Sequence, residues 1–212
     1  MFDIEYKGGN AVIITTKRVA LAIDPARSVF GLKDIILKDG VELGTEERFL
    51  TKATDYRASL EGPGEYEVSD LLVTGIAAYR QLDGRGSAGK ATTIYRIVDG
   101  DIQIGVIGNV DGQLDDDQLE GLGVVDILVV PVGGGGYTLD AAEAASLANK
   151  IGPKIVIPVH YADDKLKYEV PQDDVERFVE LMKVPVFEEK KLKIKSPSSL
   201  PESMEIYKLS ID

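Results

Sequence analysis

Short apolar runs separated by polar clusters set the character of the first half of the chain. Ala11-Val12-Ile13-Ile14 and Val19-Ala20-Leu21-Ala22-Ile23 flank the polar tetrad Thr15-Thr16-Lys17-Arg18, a pattern that predicts a β-hairpin. Asp24-Pro25 closes its second strand, because proline has no N–H for the ladder and restricts the residue before it. A polar stretch from about 31 to 60 breaks the pattern, with short strands expected near 34–37 and 47–51. Gly62-Pro63-Gly64 reads as a turn into Tyr66-Glu67-Val68 and Leu71–Ile76, and 92–98 with 102–107 form a second hairpin around Asp99-Gly100. Gly84-Arg85-Gly86-Ser87-Ala88-Gly89 reads as a flexible segment. This half is expected to be mostly antiparallel sheet.

Beyond it the rhythm changes. Helical patterns at 115–121, 139–150 and 171–183 alternate with apolar runs at 126–132 and 154–159, which is a βαβ order. Those runs lack polar alternation, as strands covered on both faces do. Asp140 and Glu143 make a capping-box start for the alanine-rich helix, and Gly152-Pro153 stops it. Leu192 to Ile211 adds two strands joined by the loop 196–201. The pattern as a whole is α/β, in one domain over residues 1–212.

Composition narrows the function. With 212 residues, 44% of them hydrophobic, the chain can bury a core without disulfide or metal staples. It has no cysteine, which removes thiol nucleophiles and thiolate metal sites together. Asp and Glu outnumber Lys and Arg 36 to 24, giving a formal charge of −12, a field that repels phosphate backbones and argues against a nucleic-acid partner. Lys190, Lys191, Lys193 and Lys195 fall largely on alternating positions and read as a solvated face. No run approaches the roughly 20 apolar residues of a membrane span, and the start Met1-Phe2-Asp3-Ile4-Glu5 is not that of a signal peptide. The expectation is a cytoplasmic protein with no membrane partner.

Several short landmarks occur in a telling order: Ile23-Asp24-Pro25, Gly62–Val68, Gly108-Asn109, the strand and loop Val125–Thr138, and Ile157-Pro158-Val159-His160-Tyr161. Together they resemble one branch of the metallo-β-lactamase superfamily, the metal-dependent hydrolases, over about residues 10–185. The resemblance implies an αββα sandwich with a groove at one edge of two sheets. It also implies a His-x-His-x-Asp-His loop that holds two cations and a bridging water, which the metals convert to hydroxide near neutral pH. Here that loop should fall between about 34 and 60, where there is no histidine. Lys38-Asp39-Gly40-Val41-Glu42 is the candidate replacement. A further family histidine falls on Arg80, the family Gly-Asp on Gly108-Asn109, and another histidine near Gly112. His160 alone remains. One histidine and no cysteine cannot build a histidine-rich two-zinc centre.

The candidate groove set is therefore Asp24, Glu65, Arg80, Asn109, Gly133, Gly134, Gly135, Gly136 and His160. His160, Asp24, Arg80 and the glycine run each have two readings. His160 is a surviving ligand or acid–base group, or a residue hydrogen-bonded at a strand end. Asp24 is a groove carboxylate or a strand terminator. Arg80 fills vacated cation space, pairing with a carboxylate such as Asp24 or with an anion beside Gly133–Gly136, or it is a loop arginine. The glycine run cradles an anion or lets the chain cross the groove. It lacks the contexts of a P-loop or a dinucleotide site. Asp111, Asp115, Asp116 and Asp117 lack the bidentate glutamate of a calcium loop and suit a helix start instead.

Two functions follow. One is a non-catalytic binding or scaffold member with no cofactor, acting on a small molecule or protein through the old groove or as a homo-oligomer. The other is a hydrolase with a relocated or single-metal site from His160, Asp24, Asn109, Glu65 and Asp39 or Glu42, using one weakly held divalent cation.

Overall fold

The alternation Phe2, Ile4, Tyr6 against Asp3, Glu5, Lys7 makes the first strand, β1 (Phe2–Gly8), with one face in the core and the other toward solvent. It belongs to a computed structural model that describes residues 1–83 and 91–211. The Gly84–Gly89 run lies outside the described residues. β1 pairs antiparallel with β2 (Ala11–Thr16), and β2 with β3 (Ala20–Ile23), the expected hairpin. β4 (Val41–Gly44) and β5 (Ala58–Glu61) then add in parallel. The first half is thus less antiparallel than its pattern suggested, and its strands at 31–60 are not at 34–37 and 47–51. The segment Lys38–Glu42 is no groove loop either, since Val41 and Glu42 open β4.

The position of β4 is hidden from the hydrophobic pattern because Glu42 interrupts its apolar run while being fully buried. Its carboxylate accepts from Thr51 N (2.9 Å) and Oγ1 (2.8 Å), Lys52 N (2.8 Å) and Ser59 Oγ (2.6 Å). This polar plug holds 51–59 against the sheet, and Ile35 and Tyr56 pack with Ala11 and Ala22 on the same outer face.

A sixth strand, β13 (Leu192–Ile194), completes the order β13-β1-β2-β3-β4-β5. The facing sheet holds eight strands: β6 (Gly64–Val68), β7 (Leu71–Ala78), β8 (Thr92–Asp99), β9 (Ile102–Val106), β10 (Ile127–Pro131), β11 (Ile155–Val159), β12 (Val186–Glu189) and β14 (Glu205–Leu209). Their order is β12-β14-β11-β10-β9-β8-β7-β6, antiparallel from β6 to β9 and parallel from β9 to β14. The main hydrophobic cluster fills the space between the sheets. Helix α1 (Asp116–Leu122) starts on an Asp115–Gln118 capping box and packs on β7 and β8. Helix α2 (Ala141–Ile151) starts on the Asp140–Glu143 box and packs on β10. Helix α3 (Val175–Met182) packs on α2 and begins later than its pattern suggested, because 171–174 forms a strap in which Asp173 N donates to Gly133 O (2.7 Å). The architecture is an αββα sandwich. Among the described residues no helix is long and apolar enough to cross a membrane.

Candidate functional site

Parallel strands gather their carboxyl ends at one edge, where α/β folds place ligands. At this edge lie Asp24 after β3, Thr45-Glu46 after β4, Gly108-Asn109 after β9, Gly133 beyond β10 and His160 after β11. Backbone bonds fix them: Asp24 N donates to Leu43 O (2.9 Å) and His160 N to Gly9 O (2.8 Å). The two sheets are stitched here, since Thr93 N donates to Thr45 O (2.9 Å) and Tyr95 OH to Gly44 O (2.8 Å). Gly108 has φ 66°, and a side chain there would overlap Thr45.

The centre of the site is a residue that sequence reasoning did not single out. The Glu46 carboxylate, 4% exposed, meets Arg48 Nε at 3.2 Å and Arg80 Nη1 at 3.3 Å, and Asn109 Nδ2 donates to it at 3.0 Å. Asn109 Oδ1 in turn accepts from Asn10 Nδ2 (2.9 Å) and lies 3.1 Å from His160 Nδ1. A chain of contacts therefore runs from His160 through Asn109 to Glu46 and out to two guanidiniums. Because Asn109 donates to Glu46 through its nitrogen, it presents its oxygen to His160. Nδ1 must then carry the proton, leaving Nε2 as an acceptor. Burial, reinforced by the charge of Arg48, pulls the His160 imidazole down to about 3, so it is neutral at physiological pH. The Arg48 guanidinium also lies over the Phe49 and Tyr137 rings, at 4.5 and 4.9 Å from their centroids.

Arg80 does meet a groove carboxylate, but that carboxylate is Glu46 rather than Asp24, and its second partner is Asp83 at 2.6 Å. Asp24 is engaged instead with Thr45, whose N and Oγ1 donate to its two oxygens, each at 2.7 Å. Burial pushes the Asp24 carboxyl up to about 7, against those two hydrogen bonds, which favour the charged form. Asn109 and His160 join the network, whereas Glu65 and Asp39 are exposed and away from it. Glu42 is engaged on the outer face of its sheet.

The glycine run is a close crossing. A side chain on Gly133 would overlap the His160 carbonyl oxygen, so this glycine brings the ends of β10 and β11 together. Gly134, Gly135 and Gly136 follow with φ of 69°, 68° and 72°. Gly134 N is taken by Leu139 O (2.9 Å), and the carboxylate residues Asp140 and Asp173 lie beside it. That is a poor setting for an anion.

A signal for Glu46 existed. The spacing His-x-His-x-Asp-His can be laid on Glu46-Glu47-Arg48-Phe49-Leu50-Thr51, the turn leaving β4. The two positions that begin that motif carry a carboxylate and a guanidinium, and both side chains reach the groove. This donor set does not fit a pair of divalent cations. Both Glu46 oxygens face arginine or asparagine donors, both Asp24 oxygens face Thr45, His160 offers one nitrogen, and two guanidiniums would repel a metal. Among the described residues no three His, Cys, Asp or Glu converge in a ligand geometry.

Residues 3–160 match the family model described as the beta-lactamase superfamily domain. Among solved structures, the chain is similar over 100% of both chains to a candidate Zn-dependent hydrolase of the metallo-beta-lactamase superfamily from Thermotoga maritima, with TM-score 0.80 and 18% identity. A candidate metal-dependent hydrolase from Parabacteroides distasonis gives TM-score 0.69 at 16% identity, over 100% of this chain and 94% of that one. A metallo hydrolase from the archaeon Ignicoccus hospitalis gives 0.64 at 17% identity, over 85% and 90%. No curated protein matches. At these identities the structural likeness speaks for the fold alone.

Proposed function

Because this chain belongs to the beta-lactamase superfamily but carries arginines where its resemblance to the hydrolases implies metal-binding imidazoles, we propose that it is a non-catalytic, metal-independent binding protein. Its ligand is a small molecule taken at the old groove. The supporting observation is the Glu46 carboxylate bracketed by Arg48 and Arg80 at 3.2 and 3.3 Å. In a metal centre, cations neutralise the groove carboxylates. Here fixed guanidiniums supply that positive charge, and they cannot polarise a water into hydroxide as a metal does. Fold alone does not carry hydrolase activity across when the site chemistry differs.

The test is elemental analysis of protein purified without chelator, followed by zinc and manganese titration calorimetry. No stoichiometric metal and no saturable heat are expected. One or two tightly held transition-metal ions per chain would overturn the reading and revive a single-metal hydrolase around His160.

A further inference from the structure

A small pocket beside the network is unlike the rest of the groove. Phe30, Tyr137, Tyr168 and His160 wall a space of about 100 Å³. Three of the ring contacts are steep, Phe30–Tyr168 at 5.3 Å and 60°, Phe30–His160 at 5.5 Å and 62°, and Tyr137–His160 at 5.7 Å and 85°, while His160 and Tyr168 tilt toward each other at 4.9 Å and 33°. Edge-to-face contacts are a preferred aromatic geometry, and here they leave ring edges along the pocket. A dry apolar cavity of roughly 150 Å³ takes a benzene ring. This pocket is somewhat smaller but open on one side, so a five- or six-membered ring can enter with one edge at the mouth.

Its polar lining is one-sided. His160 Nε2 makes no hydrogen bond to the described residues, and the proton on Nδ1, directed to Asn109, leaves Nε2 as an acceptor. Gln172 Oε1 is buried without a partner, while the amide nitrogen of the same side chain donates to Val170 O (3.1 Å). His160 Nε2 is thus an acceptor with no donor among the described residues, and a ligand that donates would pair it. The charges at the rim are Arg48, already paired with Glu46, and the exposed Glu169, of opposite sign. The mouth therefore favours neither an anion nor a cation.

We propose that this pocket binds a small uncharged aromatic molecule whose hydroxyl or ring N–H donates to His160 Nε2. Edge contacts with the Phe30, Tyr137 and Tyr168 rings hold the ligand ring. The inference deepens the metal-independent binding reading by naming the ligand class.

The chain has one histidine, so histidine-selective ¹⁵N labelling gives a single imidazole to watch. Titration with phenol and with pyrazole should move the Nε2 resonance saturably and leave Nδ1 nearly unchanged. Toluene, which fits but cannot donate, should bind about tenfold more weakly, the worth of one net hydrogen bond. Benzoate and tetramethylammonium should bind more weakly than phenol. Val29 sits at the rim, 41% exposed, so V29W should close the mouth, abolish the phenol response and leave the thermal melt unchanged. The proposal is overturned if neither phenol nor pyrazole shifts Nε2, if toluene matches phenol, if a charged probe binds best, or if V29W keeps the response. A metal-free protein with no phenol response removes this proposal alone. Zinc seated on His160 removes the reading beneath it.

Discussion

Glu46→Gln is the perturbation that most directly tests whether the arginine–glutamate cluster organises the groove. Glutamine keeps the shape and still offers Asn109 an acceptor, but it leaves Arg48 and Arg80 without their shared counter-charge. Removing one partner of a fully buried pair costs about 3–5 kcal/mol, and an exposed pair contributes about 1 kcal/mol or less. The carboxylate is 4% exposed, whereas the Arg80 and Arg48 side chains are 29% and 36% exposed. The stranded guanidiniums can therefore recover some hydration, and Arg80 keeps Asp83 at 2.6 Å. The expected loss lies between the limits, at about 2 kcal/mol. Glu46→Ala also strands the Asn109 amide, in a residue only 2% exposed, and should cost about 1 kcal/mol more. Urea unfolding followed by circular dichroism measures both, and a cycle with Arg80→Met isolates the pair. For a chain of this size, 2 kcal/mol corresponds to a drop of roughly 4–8 °C in melting temperature. A Glu46→Gln protein within about 0.5 kcal/mol of the parent would behave like an ordinary surface substitution and would refute the reasoning.

Three further outcomes are expected. Melting with and without EDTA should coincide, since the core is held by apolar packing between the sheets; a drop of several degrees would reveal a structural cation. His160 and Asp24 should make stability nearly flat between about pH 4.5 and 6.5. His160 titrates at about 3 folded against 6.5 ordinarily, so over that range the unfolded chain binds its proton and stability falls as pH drops. Asp24 titrates at about 7 folded against 3.8 ordinarily, so the folded chain binds its proton and stability falls as pH rises. Where the ranges overlap, the slopes oppose; a slope of about 1.4 kcal/mol per pH unit in either direction, the linkage of one proton, would show that one group is not held as described. Gly133→Ala should destabilise by about 3 kcal/mol or more, because its methyl would overlap the His160 carbonyl oxygen. A neutral result in thermal unfolding would mean that the strand ends separate freely.

The parts of this fold that could be read from sequence are those whose local pattern is decided by local contacts. The runs at β10 and β11 are buried along their whole length, and the two capping boxes are satisfied within four residues of chain. Region 31–60 obeys a different rule. Its positions are decided by partners far along the chain: Glu42 by Thr51, Lys52 and Ser59, and Tyr56 by Ile35 O, to which its hydroxyl donates at 2.7 Å. A buried carboxylate inside a strand looks polar to any periodicity argument, which hides β4 and, just beyond it, Glu46 and Arg48. Arg80, Asn109 and His160 were accessible because the family order of landmarks placed them, although what links them was not.

The backbone geometry shows what holds the groove in shape. Asp24 and His160 both sit in the left-handed region, at φ 49° and 51°, which costs a non-glycine residue about 1–3 kcal/mol when the surroundings impose it. In each case the imposition comes from the backbone: Asp24 N to Leu43 O, and His160 N to Gly9 O with the Tyr6 hydroxyl at 3.2 Å. None of these bonds involves a metal ligand side chain. The strained strand ends are therefore set by backbone pairing within and between the sheets, whatever side chains stand on the neighbouring turns. What must still be balanced is charge, and the pairing of Glu46 with Arg48 and Arg80 does that within the groove. His160 is left neutral, oriented by Asn109 and facing an aromatic pocket. In that setting an imidazole is suited to accepting a hydrogen bond.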